Sequence, residues 1–98
     1  MFIVTMTYTV PLEQIDALLP DHVAWLERNY AAGRFLASGR QVPRVGGVIL
    51  AQAGSRAELL AVLAEDPFQQ AGVAELQVTE FLPTMTVPAL QPLRVTLG

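Results

Sequence analysis

The first ten residues alternate between two kinds of side chain. Every second residue from Phe2 to Val10 is large and apolar, whereas Ile3 and a series of threonines occupy the positions between them. A period of two that is rich in β-branched residues is typical of a strand with one buried face. We therefore predict a first strand over residues 2–10.

The spacing changes to three and four residues over positions 11–32, which predicts a helix. One face of this helix carries Ile15, Leu19, His22 and Leu26. Pro20 lies within the same stretch, and a proline lacks the N–H that a helix interior requires. We expect a short helix near residues 11–18 and a main helix that begins at about Pro20, with His22 in its first turn. Gly33 then caps the C-terminus of the main helix.

The next segments predict a hairpin, a second helix and a last strand. Residues 34–42 and 47–54 read as strands joined by the turn Pro-Arg-Val-Gly-Gly. The pattern S-x-x-E at Ser55 is a capping box, so a helix begins there. A fourth strand follows over residues 74–82.

The order of these elements, βαββαβ, predicts an α+β fold of the ferredoxin-like kind. Such a fold has four antiparallel strands and two helices on one sheet face. The other face has no cover within the chain, so we expect a homodimer that packs sheet to sheet. Residues 84–98 lack periodicity and contain prolines. We expect them to form a C-terminal tail, either extended or packed on the partner, beyond a domain at residues 1–83.

Composition narrows the function classes. The chain is 52% hydrophobic and 15% charged, with a net charge of −3, and its six basic residues are scattered arginines. Nucleic-acid binding needs clustered cations, so we expect none. The chain has no cysteine and no apolar run long enough for a membrane span. The N-terminus does not read as a signal peptide, and we expect a cytoplasmic protein with no membrane partner.

Three stretches carry a resemblance to a known family. They are "PDHVAWLERNYAAGRFLASG", the turn "PRVGG" with Ile49 after it, and "EDPFQQAGVAELQVTEF". Over about residues 1–83 the chain resembles the YCII-related family of the dimeric α+β barrel superfamily. Relatives often have Ser-Gly-Pro where this chain has Ser38-Gly39-Arg40. The resemblance implies a homodimer with a cleft between sheet and helices, a His–Asp pair there at His22 and Asp66, and, in one branch, dehydrochlorination of a chlorinated hydroxyhydroquinone.

The chemistry of the two residues fits such a pair, although each also has a simpler explanation. A histidine can take or give a proton near neutral pH, and a neighbouring carboxylate would fix its tautomer. His22 could instead bond a backbone carbonyl from its helix. Asp66 precedes Pro67 and is expected to cap a short turn at residues 67–71, ended by Gly72. Capping leaves its second oxygen free, so the two roles are compatible.

Three further residues are candidates for substrate binding. Ser38 could bond a ligand or only allow close helix packing. Arg44 could hold an anionic substrate through bidentate hydrogen bonds or be a solvated hairpin residue. Trp25 could wall the cleft or pack in the core or the dimer interface. One histidine and no cysteine leave no three-ligand metal set, and we expect neither metal nor cofactor.

Two functions are consistent with these residues. The first is an enzyme in which His22, oriented by Asp66, carries out acid–base chemistry without a cofactor. Its reaction would be an elimination or isomerisation on a small cyclic or aromatic substrate. The second is a non-catalytic dimer that binds a small ligand or serves as an accessory module.

Overall fold

The computed structural model describes residues 1–97, and residue 98 of the predicted tail lies outside the described residues. The elements follow the predicted order, with bounds that differ by a few residues. They are β1 (Phe2–Tyr8), α1 (Leu12–Ala31), β2 (Phe35–Arg40), β3 (Gly46–Ala51), α2 (Arg56–Leu63), α3 (Pro67–Gln70) and β4 (Ala74–Glu80), followed by a 3₁₀ helix (Pro88–Leu93).

The four strands form one antiparallel sheet in the order β2-β3-β1-β4. This order confirms the ferredoxin-like α+β fold. Val4 lies at the centre of the sheet, opposite Ile49 on β3 and Val78 on β4. Its face of β1 is buried beneath the helices, as the alternation predicts, whereas Ile3 on the opposite face is 38% exposed.

Helix α1 runs without interruption through Pro20, so the expected break at this residue is wrong. His22 accordingly lies in the middle of α1 and not in a first turn. An interior proline costs about 3 kcal/mol, but Pro20 faces solvent while Ile15 and Trp25 are fully buried on the opposite side. Burial of each such side chain contributes about 1.5–3 kcal/mol. The continuous apolar face therefore outweighs the local penalty.

The helix ends confirm the predicted caps. Gly33 has φ of 77° just after α1, and the following N–H of Arg34 reaches back to the carbonyl of Asn29. Ser55 Oγ accepts a hydrogen bond from the N–H of Glu58 at the start of α2. Asp66 caps α3 in the same way, and Gly72 with φ of 68° follows its end. These caps fix the junction between α2 and α3, where Asp66 lies.

The core lies between the inner sheet face and the three helices. Its largest fully buried side chains include Trp25, Phe2, Phe68, Ile15, Leu59 and Leu63. Beyond β4, the tail folds back on itself, because the N–H of Val95 donates to the carbonyl of Pro83. Most of its apolar side chains stay exposed, and Met85 is 87% accessible. Within the described residues, no helix is both long and apolar enough to cross a membrane.

Candidate functional site

The imidazole of His22 lies between aromatic rings in the middle of α1. It stacks on Phe68 with the ring centroids 3.9 Å apart and the planes 9° from parallel. The Trp25 ring packs at 5.5 Å from it. Only 10% of the His22 side chain is exposed. The ring is therefore held in one orientation by apolar contacts from its own helix and from α3.

Asp66 and His22, 44 residues apart in the chain, meet through a buried hydrogen bond of 2.7 Å between Oδ1 and Nδ1. The same Oδ1 accepts the N–H of Phe68 at 3.0 Å. Asp66 is fully buried, and its Oδ2 has no partner among the described residues. Its capping role thus holds the carboxylate in the position from which it contacts the imidazole.

This contact decides which ring nitrogen can act as a base. A carboxylate only accepts hydrogen bonds, so Nδ1 of a neutral His22 must carry the ring proton and donate a hydrogen bond to Asp66. The lone pair of the ring is then on Nε2. Nε2 makes no hydrogen bond in residues 1–97 and is not sealed from solvent. It is the nitrogen available to a molecule beside the imidazole.

A cavity of about 150 Å³ adjoins His22 between α1 and the sheet. Most of its wall is apolar, with polar groups at a few positions. The lining residues are Met6, Tyr8, Leu19, His22, Val23, Leu26, Ser38, Gly39, Arg40, Arg44, Gly47, Val48, Ile49 and Phe68. An apolar cavity with a few convergent polar groups is the usual form of a small-molecule site.

Arg44 and Asp16 form an ion pair at the end of the cavity that is formed by the β2–β3 hairpin. Arg44 donates a hydrogen bond to Asp16 on α1. This bond, assisted by the charges of Arg44 and Arg40, lowers the pKa of Asp16. The same bond raises the pKa of Arg44, to which the nearby Tyr8 hydroxyl also contributes. Arg44 therefore stays charged in the cavity wall.

The structure brings four of the five predicted site residues to one place. His22 and Asp66 are in contact, and Ser38 and Arg44 line the cavity. Trp25 does not line it, because its side chain is fully buried in the core and its indole N–H donates to the carbonyl of Val62.

Several residues of the site were not singled out from the sequence, and three of them contact site residues or carry a hydroxyl group. Phe68 stacks on the imidazole, Tyr8 lines the cavity, and the Tyr30 hydroxyl bonds Ser38 Oγ at 2.6 Å. The alternation of β1 placed Tyr8 on the helix-facing side of the sheet, which was a usable signal. The Asp-Pro cap likewise fixed where Phe68 would point. No local pattern pairs Tyr30 with Ser38.

The donor set does not suggest a metal centre. In the part of the chain that the structure describes, no group of three or more histidine, cysteine, aspartate or glutamate side chains is placed to hold a metal ion. The site is instead a buried carboxylate, an oriented imidazole and an apolar cavity. This arrangement can accept a proton from a small molecule and return it.

Comparison with known proteins agrees with the fold and identifies the family. A family model described as the YCII-related domain matches residues 1–82. Among solved structures, a similar one is 5-chloro-2-hydroxyhydroquinone dehydrochlorinase from Burkholderia phenoliruptrix AC1100 in complex with 2,5-dihydroxybenzoquinone. The two share 20% sequence identity with a TM-score of 0.71, over 85% of this chain and 95% of that one. No curated protein matches the sequence significantly.

Proposed function

Because this chain belongs to the YCII-related family, we propose that it is an enzyme that moves a proton on a small ring compound without a cofactor. His22 is the proton acceptor and Asp66 its positioning residue. The observation that carries this proposal is the 2.7 Å bond from Nδ1 to the buried carboxylate. That bond leaves Nε2 as the basic nitrogen beside the cavity.

The chemical step needs only these groups and the substrate. Nε2 takes a proton from an O–H or C–H of the bound molecule, and the released electron pair forms a new C=O or C=C bond. In an elimination, a leaving group such as chloride departs with its bonding pair, so the net loss is one H–X. In an isomerisation, the proton returns to another carbon. The imidazolium formed in between is stabilised by Asp66. General acid–base catalysis by a positioned side chain contributes about 10²- to 10⁴-fold in rate.

The size and wall of the cavity favour a single-ring substrate. Its volume of about 150 Å³ is close to that of engineered apolar cavities that bind benzene. Leu19, Leu26 and Ile49 supply apolar contacts on two sides. The similar dehydrochlorinase, named for a chlorinated hydroquinone and solved with a dihydroxybenzoquinone, supports the same class of ligand.

A homodimer is the second part of the proposal. The outer sheet face is uncovered within the described chain, and Ile3 on it is 38% exposed. The tail adds Met85 and Val87, which are 87% and 61% exposed. Apolar surface of this kind is typical of an interface. Light scattering should give twice the mass of the chain, and Ile3→Lys should lower it; a wild-type monomer would contradict the dimer.

Turnover assays test the enzymatic role. We expect the protein to release chloride from chlorinated hydroquinones, or to isomerise hydroxylated ring compounds, in a panel followed by ion chromatography and absorbance. His22→Gln should abolish turnover while preserving the fold by circular dichroism. Glu65→Gln, which changes an exposed carboxylate next to Asp66, is the matched control and should retain full activity.

The non-catalytic alternative gives a different result. A binding or accessory module would take up the ring compounds equally in wild type and His22→Gln, with no turnover at any pH. An enzyme should instead turn over its substrate in the wild type and lose that turnover in His22→Gln. Full activity of His22→Gln on a confirmed substrate would overturn the proposal.

A further inference from the structure

The end of the cavity formed by the β2–β3 hairpin carries surplus positive charge. Arg40 and Arg44 both line it, whereas Asp16 is the carboxylate that pairs with Arg44 there. This end therefore has two positively charged guanidinium groups and one carboxylate. We propose that this end is an anion subsite, and that the natural ligand is an aromatic ring bearing a carboxylate, with its acid oxygens on Arg44.

Arg44 has donor capacity that the protein leaves unused. One terminal nitrogen donates to Asp16, whereas Nε is sealed from solvent and has no partner in residues 1–97. The side chain is only 23% exposed. The other terminal nitrogen, Nη1, makes no hydrogen bond in residues 1–97 and is not sealed from solvent, so a carboxylate oxygen can reach it and form a charge-assisted bond. The Tyr8 hydroxyl, beside the same guanidinium, is a further donor at this end.

The spacing of the two ends suits one substituted ring. Asp16, which marks the guanidinium end, and His22 lie six residues apart on α1. Six residues correspond to a rise of about 9 Å along a helix. This rise separates the backbone positions of the two residues, and an aromatic ring with a polar group at each end has a comparable length. The acid would contact Arg44 while the group to be deprotonated faces Nε2.

This inference rests on the proposed site but not on its chemistry. The acid fixes the orientation of the ring, and His22 acts only at the other end. Binding preference and turnover can therefore be measured separately. A preference for the acid without turnover would contradict the proposed enzyme and leave the anion subsite standing. Turnover of neutral rings with no preference for acids would do the reverse.

The test compares para-hydroxybenzoate with para-hydroxybenzamide, which have the same ring and nearly the same size. Their dissociation constants are measured by NMR titration of the wild-type protein. We expect the acid to bind about tenfold or more tightly, since a charge-assisted hydrogen bond is lost in the amide. Equal affinities, or no saturable binding of the acid at millimolar concentration, would overturn the proposal.

Three variants locate the effect at Arg44. Arg44→Gln should remove the preference for the acid, whereas Arg94→Gln, which deletes the same charge in the tail, should keep it. Asp16→Asn removes the carboxylate that competes for Arg44 and should tighten acid binding severalfold. A gain of this kind cannot result from damage to the fold. Loss of acid binding in Asp16→Asn, or a preserved preference in Arg44→Gln, would contradict the assignment.

Discussion

The bond between His22 and Asp66 should appear as a coupling energy in a double-mutant cycle. The four proteins are the wild type, His22→Ala, Asp66→Ala and the double variant. Each single change removes the buried bond and leaves the other partner unpaired. In the double variant both side chains are absent, so neither is left as an unpaired partner.

The hydrogen bonds of Asp66 set the size of the expected loss of unfolding free energy. Asp66→Ala deprives two buried donors of their acceptor, the Nδ1–H of His22 and the N–H of Phe68. Each unsatisfied donor costs about 1–3 kcal/mol, so the variant should lose about 2–6 kcal/mol of unfolding free energy. The loss of the α3 cap and the loss of the imidazole packing each occur in one single variant and again in the double variant. Both losses therefore cancel in the coupling energy. What remains is the pair itself, with an expected coupling of about 2 kcal/mol.

Urea unfolding followed by tryptophan fluorescence measures each free energy, since Trp25 lies in the core beside the imidazole. The control cycle pairs His22→Ala with Glu65→Ala, because Glu65 is exposed and next to Asp66 in the chain. That pair should be additive within about 0.5 kcal/mol. Additivity of the His22 and Asp66 changes would refute the buried bond.

Three further expectations follow from the fold and the ion pair. Pro20→Ala should raise the free energy of unfolding by about 1–3 kcal/mol, since α1 is continuous there and the proline lacks a helical N–H; a loss of stability would contradict this. Gly46→Ala should destabilise the protein strongly, because the new Cβ would lie 1.7 Å from the carbonyl oxygen of Met6. Gly39→Ala is the control in the same thermal unfolding experiment, because its Cβ would meet nothing within 4 Å. Arg44→Gln should return the lowered pKa of Asp16 toward its ordinary value of 3.8 in an NMR titration. The stabilisation from this pair is present above the ordinary pKa of an aspartate and is lost as the pH falls through the lowered one, and a pKa of Asp16 that does not move would count against the pair.

Local signals in the sequence were sufficient for most of the fold. The alternation of β1 and the caps at Gly33, Ser55 and Asp66 each depend on residues close together in the chain. The break expected at Pro20 is wrong for the opposite reason, because the local penalty of the proline is outweighed by burial of the far side of α1 against distant elements.

The site was predictable only in part. His22 and Asp66 were singled out mainly through a family resemblance, since no local pattern relates residues 44 positions apart. Arg44 was predicted as a binding residue with a solvated hairpin side chain as the alternative. The structure places it in the cavity wall with Asp16 as its partner. Such pairings depend on how α1 packs over the hairpin, which periodicity does not specify.

The most direct test of the site is the protonation state of one imidazole. His22 is the only histidine, so ¹⁵N labelling of histidine gives a single ring to observe by NMR. At a pH where the ring is neutral, we expect a protonated Nδ1 and an unprotonated Nε2 whose signal moves when a phenolic ligand is added. Asp66→Ala should abolish the tautomeric preference. A wild-type spectrum with the proton on Nε2 would contradict the assignment of that nitrogen as the base.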